Sequence, residues 1–150
     1  KTTISRDFEG AGNIQKLIKV NNDWLLLIGE RLIHLTNDDQ TTIASGISDL
    51  SISPNYRFVA FISNGSLKVY DTDQKEEVSL GIFDNSRQLD WFDGDHLLVL
   101  SNGRLELVEI DEFKPINKYL FGENVYRFSK GGKDIFFLDG EGLWRRTVIE

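Results

Sequence analysis

The chain has 150 residues, of which 40% are hydrophobic and 27% charged, and this fits one globular domain with a core of its own. It contains no cysteine, which excludes disulfides, thiolate metal sites and cysteine nucleophiles. The net charge is -7 and no apolar run approaches the roughly 20 residues of a membrane-spanning helix. We therefore expect a soluble protein of unassigned compartment, with no nucleic-acid binding and no membrane insertion.

The chain begins with a strand-like stretch over residues 2–8. An inner strand is predicted at 14–20, and an apolar hairpin at 23–36 follows it with the sequence DWLLLIGERLIHLT. A more polar outer strand is predicted at 41–44, as suits the edge of a sheet. The stretch 2–8 is not part of this unit, and the strands between 14 and 44 form one unit of four strands.

The same order of elements recurs three more times. Inner strands are predicted at 48–53, 88–92 and 125–129. Hairpins are predicted at 57–70, 95–108 and 133–146, with the sequences RFVAFISNGSLKVY, DHLLVLSNGRLELV and KDIFFLDGEGLWRR. Outer strands follow at 76–80 and 116–121, whereas the last unit reaches Glu150 without one.

Four aligned leucines give the length of the repeat. Leu32, Leu67, Leu105 and Leu143 are spaced by 35, 38 and 38 residues, close to the roughly 40 residues of a propeller blade. The Asn-Gly turns at 64–65 and 102–103 are hairpin signals, and the alternation around them has period two, not 3.6.

These patterns predict an all-β chain of about four antiparallel four-stranded β-propeller blades in one domain, 1–150. The approximate blades are 13–45, 46–81, 86–121 and 123–150. Two arrangements of the ends remain open. In one, residues 2–8 pair with the last blade and close a small ring. In the other, the chain is part of a larger propeller, completed by a second copy or by further sequence.

The second unit also carries a family resemblance. Ser53, Pro54, Asn55 and Tyr56 stand where propellers have a Ser-Pro-Asp-Gly turn, and the closing strand at 69–71 reads Val-Tyr-Asp where they have Val-Trp-Asp. With these motifs the chain resembles the β-propeller superfamily in its WD40-like or TolB-like style. The Gly-His dipeptide of WD40 repeats and the Asp-box of sialidase-like propellers are absent. The resemblance implies a rigid scaffold that binds partners, and it implies no reaction.

The polar residues indicate no catalytic or metal site. His34 and His96 are the only histidines, and we interpret both as partly buried and hydrogen-bonded. A triad needs a nucleophile and an orienting acid beside the base, and a zinc site needs three or four converging ligands. The acidic stretch 71–77 lacks the glycine of a calcium loop. Residues 131–133, Gly-Gly-Lys, resemble the end of a phosphate loop but lack its earlier glycine and its helix, so we interpret them as a hairpin turn. We predict a protein that is not an enzyme and uses no cofactor or metal.

Two sets of residues remain as candidate sites. Ser51, Asp90 and Arg127 occupy similar positions on the inner strands, where propellers line their axis; we interpret the charged pair as structural, with small-ligand binding or hydrolysis in an axial channel as the alternative. Trp91 and Phe92 are adjacent and point to opposite faces of a strand, so at least one of them is predicted on a partner surface. The leading prediction is a non-enzymatic scaffold for protein–protein interaction or self-assembly, with a protein partner or another copy of the chain.

Overall fold

The regular structure of the chain is entirely β. A computed structural model describes residues 13–37, 39–83, 86–110 and 117–148, and these contain fifteen strands. No helix occurs in these ranges, and therefore no helix that is long and apolar enough to span a bilayer. The predicted all-β class is confirmed.

The strands have the following bounds. They are β1 (Ile14–Val20), β2 (Asp23–Ile28), β3 (Arg31–Leu35), β4 (Gln40–Ala44), β5 (Ile47–Ile52), β6 (Phe58–Ser63), β7 (Ser66–Asp71), β8 (Glu76–Ile82), β9 (Ser86–Trp91), β10 (His96–Ser101), β11 (Arg104–Glu109), β12 (Lys118–Gly122), β13 (Arg127–Gly131), β14 (Asp134–Leu138) and β15 (Leu143–Thr147).

Consecutive strands build four separate sheets, which we call the first to fourth blades. Their orders are β1-β2-β3-β4, β5-β6-β7-β8, β9-β10-β11-β12 and β13-β14-β15. The strands run antiparallel to their neighbours. The prediction of about four antiparallel sheets is confirmed, and within the described residues the fourth sheet has only three strands. The predicted closing strand at 2–8 lies outside the described residues.

The predicted strand positions agree with the structure except near some ends. The inner strand of the fourth blade begins at Arg127 and not at Val125. Val125 donates its backbone N–H to the carbonyl of Gly103 in the preceding blade, at 2.8 Å. Its side chain is buried in the cluster between these two blades. Val125 therefore links the third and fourth blades through a backbone hydrogen bond and a buried side chain.

A set of equivalent backbone hydrogen bonds confirms the repeat. In three blades, a backbone N–H just after the hairpin donates to a backbone carbonyl just before it. The pairs are Thr72 to Arg57, Ile110 to Asp95 and Val148 to Lys133, at 2.7 to 2.9 Å. Successive donors and acceptors are 38 residues apart. At the other end of the hairpin, Asn64, Gly65, Asn102 and Gly103 all have positive φ, as the predicted tight turns require.

The first three blades share an irregularity in the pairing of their third and fourth strands. The pairing register shifts directly after Leu32, Leu67 and Leu105. In the third blade Gly122 stands opposite Leu105. A Cβ atom on Gly122 would lie 2.9 Å from Phe137 Cε2 and 3.0 Å from Val125 Cγ2. Glycine is therefore required there because the fourth blade approaches the backbone of the third.

The chain divides into two compact units, residues 1–47 and 48–150. In the first unit, Leu26, Ile28, Ile33 and Leu35 lie on one face of the β2–β3 hairpin and form a buried cluster with the partly buried Trp24. In the second unit, two larger clusters lie between successive blades.

Trp91 is the largest fully buried side chain between the second and third blades. It lies on β9, and its ring stacks on Phe58 with centroids 5.9 Å apart. Around them pack Ala60, Ile62 and Leu67 from the second blade and Leu97 and Val99 from the third. The next cluster repeats the arrangement with Leu98, Leu100, Leu105, Phe128 and Phe137.

Replacing Trp91 by Ala should destabilise the protein by about 3–5 kcal/mol, because it leaves a cavity between two blades. Urea unfolding followed by circular dichroism measures the loss. Trp144→Ala is the control, because Trp144 is 45% exposed and should cost far less. Equal losses for the two variants would contradict the assignment of Trp91 to the core.

Gly122→Ala should destabilise the protein by about 1–3 kcal/mol, because the added methyl group overpacks Phe137 and Val125. Gly140→Ala is a matched control, since the atom nearest to its added Cβ is the Tyr126 hydroxyl at 3.6 Å, an ordinary contact. Thermal unfolding of both variants tests the prediction, and it is wrong if Gly140→Ala is the less stable one.

Candidate interaction surface on the fourth blade

Two of the three predicted channel residues meet at one cavity. Asp90 on β9 and Arg127 on β13 both line a cavity of about 310 Å³, whereas Ser51 on β5 does not. The Asp90 carboxylate lies 3.8 Å from the Lys130 ammonium, so its ion partner is Lys130. Arg127 and Lys130 are three positions apart and point to opposite faces of β13. Lys130 faces the third blade, where it also donates to the backbone carbonyl of Trp91.

The prediction that Trp91 belongs to a partner surface is wrong. Trp91 is fully buried, and its indole N–H has no hydrogen-bond partner in the described structure. Phe92 is partly buried and packs against the cluster between the third and fourth blades. The two side chains do point to opposite faces, but both faces of this sheet are covered by neighbouring residues.

Both histidines are hydrogen-bonded, as predicted, and the partner of each is a carboxylate. His34 is 4% exposed, and its Nε2 lies 3.0 Å from Asp23 Oδ2. The Nδ1 of His96 lies 2.9 Å from the carboxylate of Asp93. Burial raises the pKa of Asp93, but hydrogen bonds from the Asp95 backbone and from His96 outweigh it, so the pKa is lowered overall. In the described ranges, no group of three or more His, Cys, Asp or Glu side chains is arranged to hold a metal.

The largest departure from the repeat is an exposed sheet face on the fourth blade. Residues directly opposite each other on antiparallel strands share a face. Leu138 pairs with both Arg127 and Leu143, and Phe136 pairs with both Ser129 and Arg145. We call this surface the fourth-blade face. It consists of Arg127, Ser129, Asp134, Phe136, Leu138, Leu143, Arg145 and Thr147.

Equivalent positions in the two preceding blades are buried. The cross-strand pair Leu138–Leu143 corresponds to Ile62–Leu67 and Leu100–Leu105, which are at most 5% exposed. Leu138 and Leu143 are instead 45% and 69% exposed. In the second and third blades the equivalent face packs against the next blade. The described residues place no such sheet against the fourth.

The cavity borders this face and also contacts Phe128 and Phe137 of the opposite face. Arg127, Ser129, Phe136, Leu138 and Leu143 contribute to its lining, and Gln88 and Asp90 extend it to the inner strand of the third blade. It is therefore a depression of mixed apolar and polar lining that includes a guanidinium and a carboxylate.

Polar contacts stabilise the hairpin that carries this face. Arg145 Nη2 donates to Asp134 Oδ2 at 2.7 Å, and Thr147 Oγ1 donates to Asp134 Oδ1 at 2.6 Å. These hydrogen bonds, with Arg145 the larger contributor, lower the pKa of Asp134. Asp139 accepts hydrogen bonds from the backbone N–H groups of Glu141 and Gly142 in the turn. Its pKa is also lowered, first by a hydrogen bond from the Trp144 side chain.

The outer edge of β15 is the second unusual feature of this blade. In each other blade a fourth strand pairs with the third. In the described part of the chain, β15 pairs only with β14, and all five of its residues are exposed. The strand reads LWRRT, so its only charges are those of Arg145 and Arg146.

Sequence reasoning missed this surface, although a signal was present. Where the second blade has Phe58 and Val69 on its covered face, the fourth has Asp134 and Arg145. Polar residues at two core positions of a repeat mark a face that is not covered in the same way.

These features define the class of protein: the chain has the fold of β-propeller proteins. Solved structures of that fold match most of the chain. It resembles Hsv2 of Kluyveromyces lactis (TM-score 0.56, 9% identity, 84% of this chain and 42% of that one). It also resembles the β-propeller domain of the Trilobed protease of Pyrococcus furiosus (0.59, 11%, 85% and 48%) and the N-terminal domain of Nup159 (0.60, 14%, 93% and 43%).

The chain thus spans less than half the length of each of these structures. Nup159 also occurs among the similar structures in a Saccharomyces cerevisiae complex with Dbp5 and Gle1. The sequence matches no protein-family model and no curated protein. At these low identities the likeness concerns the fold.

The Asp134 contacts predict a pH dependence. Since its folded pKa is lowered, the stabilisation is present above the unfolded aspartate pKa of about 3.9 and is lost as the pH falls through the lower folded value. The wild type should therefore exceed Asp134→Asn in thermal stability near neutral pH. The difference should disappear in acid, once Asp134 is protonated.

Asp95→Asn, a change in an exposed turn, is the control for this pH series. A wild-type advantage over Asp134→Asn that stays constant down to the acid limit would show that the charge on Asp134 does not hold the hairpin.

Proposed function

We propose that the chain is a non-enzymatic propeller scaffold that binds a partner protein through the fourth-blade face. The observation that carries the proposal is the exposure of Leu138 and Leu143, at positions that the second and third blades bury against another sheet. Exposed apolar side chains beside a depression are typical of protein-binding surfaces.

The shape of the face favours a protein over a lipid or a nucleic acid. The repeat shows what fits such a face, namely the apolar side chains of an adjacent sheet. Arg127 and Asp90 add one charge of each sign at the rim of the depression. Charged groups beside apolar side chains are typical of protein interfaces, which have a polar rim around an apolar centre.

A partner protein is favoured over head-to-tail assembly of copies. In such an assembly, the fourth-blade face of one copy needs an uncovered apolar sheet face on another. The apolar cluster of the first blade does not offer one, because Leu26, Ile28, Ile33 and Leu35 are already only 2 to 7% exposed. One similar structure contains Dbp5 bound to Nup159, which supports a role for this fold in protein complexes.

Small-ligand binding is the second candidate. The cavity of about 310 Å³ is at the lower end of the range of about 300–1,000 Å³ for ligand sites, and Asp90 and Arg127 supply opposite charges. Against it, Lys130 already pairs with Asp90. A ligand in this cavity would lose affinity in Arg127→Ala but not in Trp144→Ala.

Site-specific photo-crosslinking tests the proposed function. A benzophenone side chain placed at Leu143 should form an adduct with a partner protein in an extract of the source organism. The same group at Tyr119, which is 49% exposed on β12, should not form it. The identified partner is then purified, and its Kd for Leu143→Glu should rise about tenfold, as for a central interface residue.

Tyr119→Glu is the matched control and should bind the partner like the wild type. The proposal is overturned if the purified partner binds Leu143→Glu with unchanged affinity, or if the adduct joins two copies of the chain. Circular dichroism checks that the variants are folded, as expected for residues this exposed.

A further inference from the structure

We propose that a cavity between the second and third blades binds a short-chain monocarboxylic acid. The cavity has a volume of about 220 Å³. Its wall on the second blade includes Ile82 and Phe83, and its wall on the third blade includes Arg104, Glu106 and Lys118. None of these residues belongs to the fourth-blade face, so the inference does not rest on the proposed function.

The strand register explains why these charged side chains meet the second blade. Glu106 on β11 stands directly opposite Val99. Lys118 on β12 stands directly opposite Val108. Val99 and Val108 are buried in the cluster between the second and third blades. Since residues directly opposite each other share a face, Glu106 and Lys118 face the second blade, and so does Arg104, two positions before Glu106.

The repeat does not require a cation at either of the two basic positions. Arg104 is the first residue of β11, and the first residue of the equivalent strand in the second blade is Ser66. Lys118 pairs with Val108 as Glu77 pairs with Tyr70 in the second blade. The second blade thus forms with a serine and an acid at these positions. Two cations that line one cavity favour an anionic ligand.

The ammonium group of Lys118 is held in place by the second blade. Its Nζ donates a hydrogen bond to the backbone carbonyl of Leu80 at 3.2 Å and lies 4.5 Å from the centre of the Phe83 ring. An ammonium group has three N–H donors, so two are left to donate to a ligand. A side chain that is already fixed loses less conformational freedom on binding, which favours affinity.

Arg104 and Glu106 set the charge that the ligand should carry. Arg104 Nη2 lies 3.7 Å from Glu106 Oε1, which is too far for a hydrogen bond. The guanidinium can therefore offer a parallel pair of N–H donors to a carboxylate. Two cations and one acid leave a single net positive charge in the lining, and a monoanion balances it. The second charge of a phosphate group would be repelled by Glu106.

Ile82 defines the apolar part of the ligand. It lies at the end of β8 and is 76% exposed, more than any other large apolar side chain in the described ranges. A hydrocarbon tail that packs on Ile82 would remove apolar area from water. The cavity is smaller than the sites of drug-sized ligands, which measure about 300–1,000 Å³. We therefore expect a tail of only a few carbon atoms.

Butyrate is a suitable probe. Added to the ¹⁵N-labelled full chain, it should shift the backbone amide signals of Ile82 and Arg104 in two-dimensional NMR, saturably and with a Kd on the order of 1 mM. Butyramide has the same shape without the charge and should not bind. The N-methylamide of N-acetylglutamate offers the carboxylate as a protein side chain would. It should bind more weakly than butyrate, because its backbone is too large for the cavity.

Two charge variants should act in opposite directions. Arg104→Gln should raise the Kd for butyrate about tenfold, since a charged hydrogen bond is lost. Glu106→Gln should lower the Kd about threefold and should admit inorganic phosphate, which the wild type should not bind. Arg146→Gln is the matched control, because Arg146 is exposed on β15 and does not line the cavity. Circular dichroism checks that each variant is folded.

Four results would overturn the inference. They are shifts that do not saturate, equal binding of butyramide, weaker butyrate binding in Glu106→Gln, and tighter binding of the N-acetylglutamate derivative than of butyrate. The last result would assign the cavity to an acidic side chain of another protein instead of a free acid. A purely structural role of Arg104 and Glu106 gives no reason for one variant to bind butyrate more tightly and the other more weakly.

Discussion

The second and third sheets of this chain each depend on the next sheet to cover their hairpin. Ile62 and Leu67 of the second blade, and Leu100 and Leu105 of the third, are buried because another sheet lies over them. A single four-stranded sheet cannot shield both of its apolar faces from water. The stability of the protein therefore comes largely from the contacts between neighbouring sheets. The stacked rings of Trp91 and Phe58, and the close approach of Gly122 to Phe137, are two forms of this constraint.

The constraint makes the fourth blade different from the others. Its inward face is a normal core surface, with Phe128, Ile135 and Phe137 buried against the third blade. Its outward face keeps apolar residues near the turn but has Asp134 and Arg145 in place of core residues, and these two are paired. Charged side chains on an exposed strand also discourage unselective pairing of edges. Leu138 and Leu143 on the same face are exposed.

Much of the fold could be predicted from the sequence because the repeat is local. The leucine spacing and the Asn-Gly turns located the hairpins, and alternation located the buried sides of strands such as β11. The burial of Trp91 could not be predicted, because alternation says that Trp91 and Phe92 face opposite ways but not that both sides are covered. The partner of Asp90 was missed for a related reason. A shift of one residue exchanges the faces of a strand, so Lys130 and not Arg127 meets the carboxylate.

The two faces of the fourth blade differ in the apolar area that they leave exposed. Phe128, Ile135 and Phe137 are buried against the third blade, so the inward face has none to offer. On the opposite face Leu138 and Leu143 are 45% and 69% exposed, and the charges of Asp134 and Arg145 on the same face are paired with each other. Covering Leu138 and Leu143 would therefore remove apolar area from water without separating that ion pair, which is the physical reason why the proposed function uses this face.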